Sequence, residues 1–197
     1  MKKLLWILPV LVTVLAWPWQ AYAGPQSAQE VVTTTTDQVM QALRVDGGND
    51  ASALAAIDHF VIPHVDLQKV SQRLLGDHWL SATAEQQRKF VDELRKLLAR
   101  TYAAVFRQYA NAKVAYLPQP ADPAARVATV KSEVTGGSGS PVTIDYRLGQ
   151  RDGEWKLIDV ALNGVSLVAN YRASFGKWIN SLGIDGLTNA MSARNQS

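Results

Sequence analysis

The strongest constraint on this chain is one long helical pattern that opens at Thr83. Thr83 followed by Gln86 fits a capping box, in which the hydroxyl and the carboxamide satisfy orphan backbone donors reciprocally. From there Phe90, Leu94, Leu97, Thr101 and Val105 recur as one stripe, and Val91, Leu98, Tyr102, Phe106 and Tyr109 as a second beside it. Two adjoining stripes make an apolar face broader than packing against one neighbour requires. The pattern therefore predicts a central helix whose aromatic end, Tyr102–Tyr109, faces something large.

Helical patterns precede it. Val32, Val39 and Leu43 fall near helical spacing, although the Thr33–Thr36 run is a poor helix former. Gly47-Gly48-Asn49-Asp50 ends this helix and starts the next, with Asn49 or Asp50 as the candidate cap. Ala53–Val61 reads as a second helix stopped by Pro63, and Asp66–Leu75 as a third stopped by Gly76. After Asn111 the chemistry turns to strands. Lys113–Leu117 is short and β-prone, and Pro118, Pro120 and Pro123 punctuate the loop that follows. Arg126–Val134 and Val142–Leu148 alternate, with Val142, Ile144, Tyr146 and Leu148 on one face. Thr135–Pro141 joins them as a glycine-rich hairpin loop, and Asp152-Gly153 favours a type I′ turn into a strand at Trp155–Leu162. A glycine break at Asn163-Gly164 precedes a last helix over Ser166–Leu182. Helices first and strands later give an α+β fold, with an antiparallel meander of three or four strands.

Such a sheet needs cover on one face, which the long helix, the last helix and the N-terminal helices can supply. A curved sheet facing helices encloses a cone-shaped space that suits either a solid core or a lined cavity. Aromatic and β-branched residues fill both equally well. If the space is a cavity, the expected lining is Tyr102, Phe106, Val130, Ile144, Tyr146, Val160 and Leu167.

The first residues address the compartment. Met1-Lys2-Lys3 is cationic, Leu4–Ala16 is apolar, and Ala21-Tyr22-Ala23 is an A-x-A cleavage site before Gly24, the three-part layout of a signal peptide. The apolar run is shorter than the ~20 residues of a spanning helix, and Pro9 interrupts it. Residues 1–23 are expected to be removed, leaving 24–197 as a single domain long enough to hold itself together by its core. The chain has no cysteine, so acyl anchoring, disulfides, cysteine-ligated zinc and a cysteine nucleophile are excluded. Once Lys2 and Lys3 are gone, 18 basic residues face 17 acidic ones. No Lys/Arg block stands out, so nucleic-acid binding lacks its electrostatic footprint.

Several motifs have plainer readings than their chemistry suggests. Gly136–Gly139 lacks the Gly-Lys-Ser/Thr ending of a phosphate loop and joins strands. His59, His64 and His78 have no metal-ligand spacing. Ser166 resembles a nucleophile elbow only superficially, because position 168 is Val; it suits a helix N-cap. Asp159 and Tyr146 could serve a small isomerase or dehydratase built in the same cone. Yet that strand has one suitable Asp and no histidine nearby, so Asp159 is expected to fix the strand end by a buried hydrogen bond or salt bridge.

Two blocks carry a family resemblance. Asp152-Gly153-Glu154-Trp155-Lys156-Leu157-Ile158-Asp159-Val160 and Asn163–Arg172 continue through Phe175 to Leu182-Gly183-Ile184-Asp185-Gly186-Leu187. Upstream, Leu80-Ser81-Ala82-Thr83-Ala84-Glu85-Gln86 leads to Phe90 and Leu97–Tyr102. Both closely resemble the matching segments of the MlaC family, periplasmic phospholipid carriers of Gram-negative bacteria. The resemblance implies a nuclear-transport-factor-like α+β fold with extra helices around an apolar lipid cavity. It further implies a non-enzymatic shuttle with phospholipid as cargo and no cofactor or metal. Its partners would be an outer-membrane lipoprotein–porin complex and an inner-membrane ABC transporter with a substrate-capture subunit, and its role the maintenance of outer-membrane lipid asymmetry.

Overall fold

The computed structural model describes residues 26–45, 49–119, 122, 124–136 and 140–196. The expected signal peptide 1–23, Gly47-Gly48, Pro120, Pro123 and loop residues 137–139 lie outside the described residues. Helix α1 (Ala28–Val45) begins at a capping box that the sequence reading missed. The Ser27 N–H donates to the Glu30 carboxylate at 2.7 Å and the Glu30 N–H to the Ser27 hydroxyl at 3.2 Å. Its threonine run is accommodated by back-bonding, with Thr33 Oγ1 donating to the Gln29 carbonyl at 2.6 Å. Asn49 caps α2 (Asp50–Ala56), accepting from the Ser52 N–H. The expected helix to Val61 instead widens into a π-turn at Ile57–Val61 and tightens into a 3₁₀ turn at Ile62–His64. Pro63 has no N–H to continue the α ladder, so the chain changes pitch before it stops.

Asp66 caps α3 (Leu67–Leu75), which ends at Gly76 in a left-handed conformation with φ 56. A short helix that the sequence reading did not anticipate, α4 (Asp77–Ser81), buries Trp79. The long helix α5 (Ala84–Gln108) opens on the complete Thr83/Gln86 capping box.

Among the described residues the sheet is a five-stranded antiparallel meander. Its strands are β1 (Lys113–Leu117), β2 (Val127–Thr135), β3 (Val142–Arg151), β4 (Glu154–Leu162) and β5 (Val165–Ser166). Asp152-Gly153 forms the tight turn into β4, with positive φ at both positions, 53 and 82. Asn163-Gly164 repeats this device, with φ 49 and 81. It is therefore a second hairpin turn, and it adds the two-residue β5 to the three or four strands expected. Ile158 is unpaired where the register shifts between Arg147↔Asp159 and Leu148↔Leu157. Such a bulge bends its strand and increases the local twist, which curves the sheet toward the helices.

The last helix, α6 (Leu167–Gln196), runs well beyond Leu182, with a kink at Gly183. Leu187 and Met191 continue its buried face past the kink. The wide face of α5 is shared. Phe90, Leu94 and Leu97 pack with Leu74, Trp79, Phe175 and Ile179, from α3, α4 and α6. Ala99 and Ala103 pack with Val39, Leu43, Ile57 and Ile62. The aromatic end of α5 remains for the space in front of the sheet. Among the described residues no helix is long and apolar enough to cross a membrane.

Candidate functional site

That space is a cavity of about 300 Å³. Both stripes of α5 border it, the first through Leu94, Leu97 and Val105 and the second through Leu98, Tyr102, Phe106 and Tyr109. The sheet supplies the opposite wall, with Val142, Ile144, Tyr146 and Leu148 on β3 and Leu157, Val160 and Leu162 on β4. The period of two places the β3 set on one face, the bulge at Ile158 brings Leu157 onto the same face as Val160 and Leu162, and the register sets Ile144 beside Leu162, Tyr146 beside Val160 and Leu148 beside Leu157. Leu167, Val168 and Tyr171 close one side from the start of α6, and Val31, Val32, Thr36 and Met40 another from α1.

Six of the seven residues chosen from sequence, Tyr102, Phe106, Ile144, Tyr146, Val160 and Leu167, border this cavity. Val130 does not. It pairs with Tyr146 and so faces the same side of the sheet, but the first turns of α1 cover it. There it is 4% exposed and packs against Ala28, Val31, Val32 and Leu148 as part of the core. The choice also missed the α1 wall, the π-turn residues Ile57 and Val61, and Tyr171. Tyr171 was within reach, because it follows Leu167 at i+4 on one helix face.

The interior disfavours charge. Burial pushes the Tyr102 hydroxyl well above the usual tyrosine range, with Tyr171 and Asp159 adding to it. Burial also raises Tyr146, against the opposing pull of the Ser132 and Thr36 hydroxyls. His64, at the border, is held below the usual histidine range by burial and then by the Lys156 charge, which favours its neutral form.

Asp159 is the anionic side chain in this wall, and its oxygens are occupied. It accepts from the Ser166 hydroxyl at 2.7 Å and from the Val168 N–H at 3.2 Å, and it pairs with Arg73 at 3.4 Å. Arg73 also donates to the Ile158 carbonyl at 2.8 Å. Ser166 in turn accepts from the Ala169 N–H at 3.1 Å, the N-cap role expected of it. Asp159 thus ties β4 to α3 and to the first turn of α6, as its structural reading anticipated. A general base must have an oxygen within reach of a substrate proton, and here both face protein donors. Of the histidines, His59 and His78 are exposed, and His59 packs edge-on against Phe60. Among the described residues no cluster of His, Cys, Asp or Glu is placed to hold a metal ion.

Comparison with known proteins places this geometry in context. The family model described as "MlaC protein" matches residues 29–193. The toluene tolerance protein ttg2D of Pseudomonas putida is 27% identical over 181 residues, covering 89% of this chain and 83% of that protein. The intermembrane phospholipid transport system binding protein MlaC of Haemophilus influenzae is 26% identical over 134 residues, 66% of this chain and 63% of that protein. Among solved structures, the phospholipid-binding protein from Ralstonia solanacearum, in complex with a phospholipid, superposes with a TM-score of 0.77 at 31% identity. It covers 87% of this chain and 98% of its own.

Proposed function

The chain belongs to the MlaC family, and from that premise we propose that it is a phospholipid carrier rather than an enzyme. The observation that carries the proposal is the nearly uncharged cavity between α5 and the sheet, where buried tyrosines and an already partnered Asp159 leave space for acyl chains. The phospholipid-bound relative of the same fold supports it. Tyr102, Phe106, Ile144, Tyr146, Val160 and Leu167 contact the chains in this reading, and residues 24–197 act as one lipid-binding domain behind a signal peptide.

Each methylene sheltered from water is worth ~0.8 kcal/mol, so two acyl chains of about thirty methylenes gain on the order of 20 kcal/mol gross. Escape into water is correspondingly slow. A carrier matches that shelter and releases its cargo only where a partner's apolar surface continues its own. In the periplasm those partners are an outer-membrane lipoprotein–porin complex and an inner-membrane ABC transporter with a lipid-capturing subunit. Movement of lipid between them maintains outer-membrane asymmetry. Organic extraction of protein purified from periplasm, followed by mass spectrometry, tests the reading. Stoichiometric phospholipid is the expected result, and protein free of lipid would refute it.

A further inference from the structure

Among the described residues the cavity wall carries one histidine, His64. It ends the stretch where the chain leaves α-helical pitch, the π-turn Ile57–Val61 followed by the 3₁₀ turn Ile62–His64. Such departures from α pitch are frequent at functional sites, and here Ile57, Val61, Ile62, His64 and Val65 all border the cavity. The backbone on either side of His64 is fastened to β4. The Pro63 carbonyl accepts from Lys156 Nζ at 3.0 Å, Val65 bridges Leu157, and the Asp66 N–H donates to the Leu157 carbonyl at 2.9 Å. The imidazole is thereby held at a half-buried place in the wall.

Among the described residues His64 makes no hydrogen bond or ion pair, and the charges around it are otherwise engaged. On β4, Lys156 pairs with Glu154 at 2.6 Å, and the two act on the imidazole with opposite sign. Asp66, the cap of α3, is held by Arg151 at 2.8 Å, and Asp58, on the π-turn, by Arg95 at 2.6 Å. Asp159 in the same wall is held by Arg73, Ser166 and Val168, while His59 and Lys69 are exposed. No uncommitted carboxylate is left to receive an imidazolium.

We propose that His64 makes cargo retention proton-sensitive: neutral, it belongs to an apolar wall, and protonated, it sets a second cation beside Lys156 against the acyl chains and loosens them. The inference rests on the carrier reading and adds a control to it. Its sign follows from the surroundings. Burial and then the Lys156 charge already favour the neutral imidazole, and acyl chains exclude the water that would solvate the charged one. Loading therefore favours the neutral form further. Affinity for lipid is full above the titration of His64 and falls as pH drops through it. By linkage, bound lipid lowers the affinity for the proton by the same factor.

The test equilibrates delipidated protein with subsaturating phosphatidylcholine, whose headgroup charge is constant over the range used. Bound and free lipid are quantified, and circular dichroism confirms the fold at each pH. For wild type the ratio of bound to free lipid should fall about fivefold between about pH 7.5 and about pH 5. His64→Gln should hold one ratio throughout. Lys156→Gln, which removes the neighbouring cation, should move the fall to higher pH. In an NMR titration the His64 ring protons should show a lower midpoint in loaded than in delipidated protein. A His64→Gln variant that keeps the wild-type fall, or a wild type whose ratio stays flat, overturns the proton-sensitive wall and leaves the carrier reading standing. A wild type that takes up no lipid at any pH overturns the carrier reading and this inference with it.

Discussion

Replacing Ile144 with Asp distinguishes a lipid cavity from a packed core at a single side chain. Ile144 lies within β3 opposite Ser132 and Leu162, is half-buried, and borders the cavity. Its neighbours on the same face of the strand are Val142 and Tyr146, while the Lys131–Asp145 ion pair belongs to the alternate positions. A carboxylate at 144 therefore has no cation to meet. In an empty cavity water can reach it, and the loss to folding is that of a half-buried Ile, about 1 kcal/mol. Against acyl chains it is unpaired and desolvated, which costs several kcal/mol. Even ~3 kcal/mol corresponds to a loss in affinity of roughly a hundredfold. The control is Leu43→Asp: Leu43 is 2% exposed and packs in the core with Val39 and Ile57, away from the cavity wall. Circular dichroism with urea titration reads folding, and the phospholipid-to-protein ratio after purification reads occupancy. Ile144→Asp should stay folded and empty, whereas Leu43→Asp should unfold. The reasoning is refuted if Ile144→Asp unfolds alongside the control, or if it keeps its lipid.

Three further outcomes follow from named contacts. Asp159→Ala strips the Ser166 hydroxyl and the Val168 N–H of their acceptor and removes the ion pair of Arg73, which keeps the Ile158 carbonyl, and should destabilise by about 2–3 kcal/mol, the upper range being discounted because Arg73 is about a third exposed; the shift in urea midpoint measures it. Thr83→Ala breaks the capping box of α5 and should cost about 1 kcal/mol while leaving lipid occupancy unchanged. Loaded protein mixed with liposomes alone should transfer fluorescent lipid slowly, and addition of the transporter's capture subunit should accelerate it; rapid, equal transfer under both conditions would contradict a sheltered hand-off.

Local patterns carried much of the fold. The Thr83/Gln86 box and the Asp152-Gly153 turn each depend on residues within a few positions of one another, so sequence alone identified them, and it narrowed the cap of α2 to Asn49 or Asp50. Asp66 was read as the first residue of α3, whereas it caps that helix. Asn163-Gly164 carries the same turn chemistry, but it was read as a break because only two residues of strand follow it. The kinked end of α6 was hidden by Gly183, whose usual meaning is a stop. For the cavity, the double stripe on α5 and the alternation along β3 indicated which faces meet. They could not indicate where one helix end lies over a strand. Val130 has the same pattern and the same face as Tyr146, yet the start of α1 seals it into the core. Likewise Thr36 and Met40, in a segment whose threonines weakened the helical signal, border the cavity only because α1 packs across the sheet.

The most direct test is a crystal structure of the protein loaded with a phospholipid brominated near the ends of its acyl chains, with the bromines located by anomalous scattering. The expected result is bromine peaks inside the cavity, between Phe106 on α5 and Ile144 and Tyr146 on β3. Peaks confined to the outer surface, with the cavity free of acyl-chain density, would contradict the central claim that this space exists to shelter lipid.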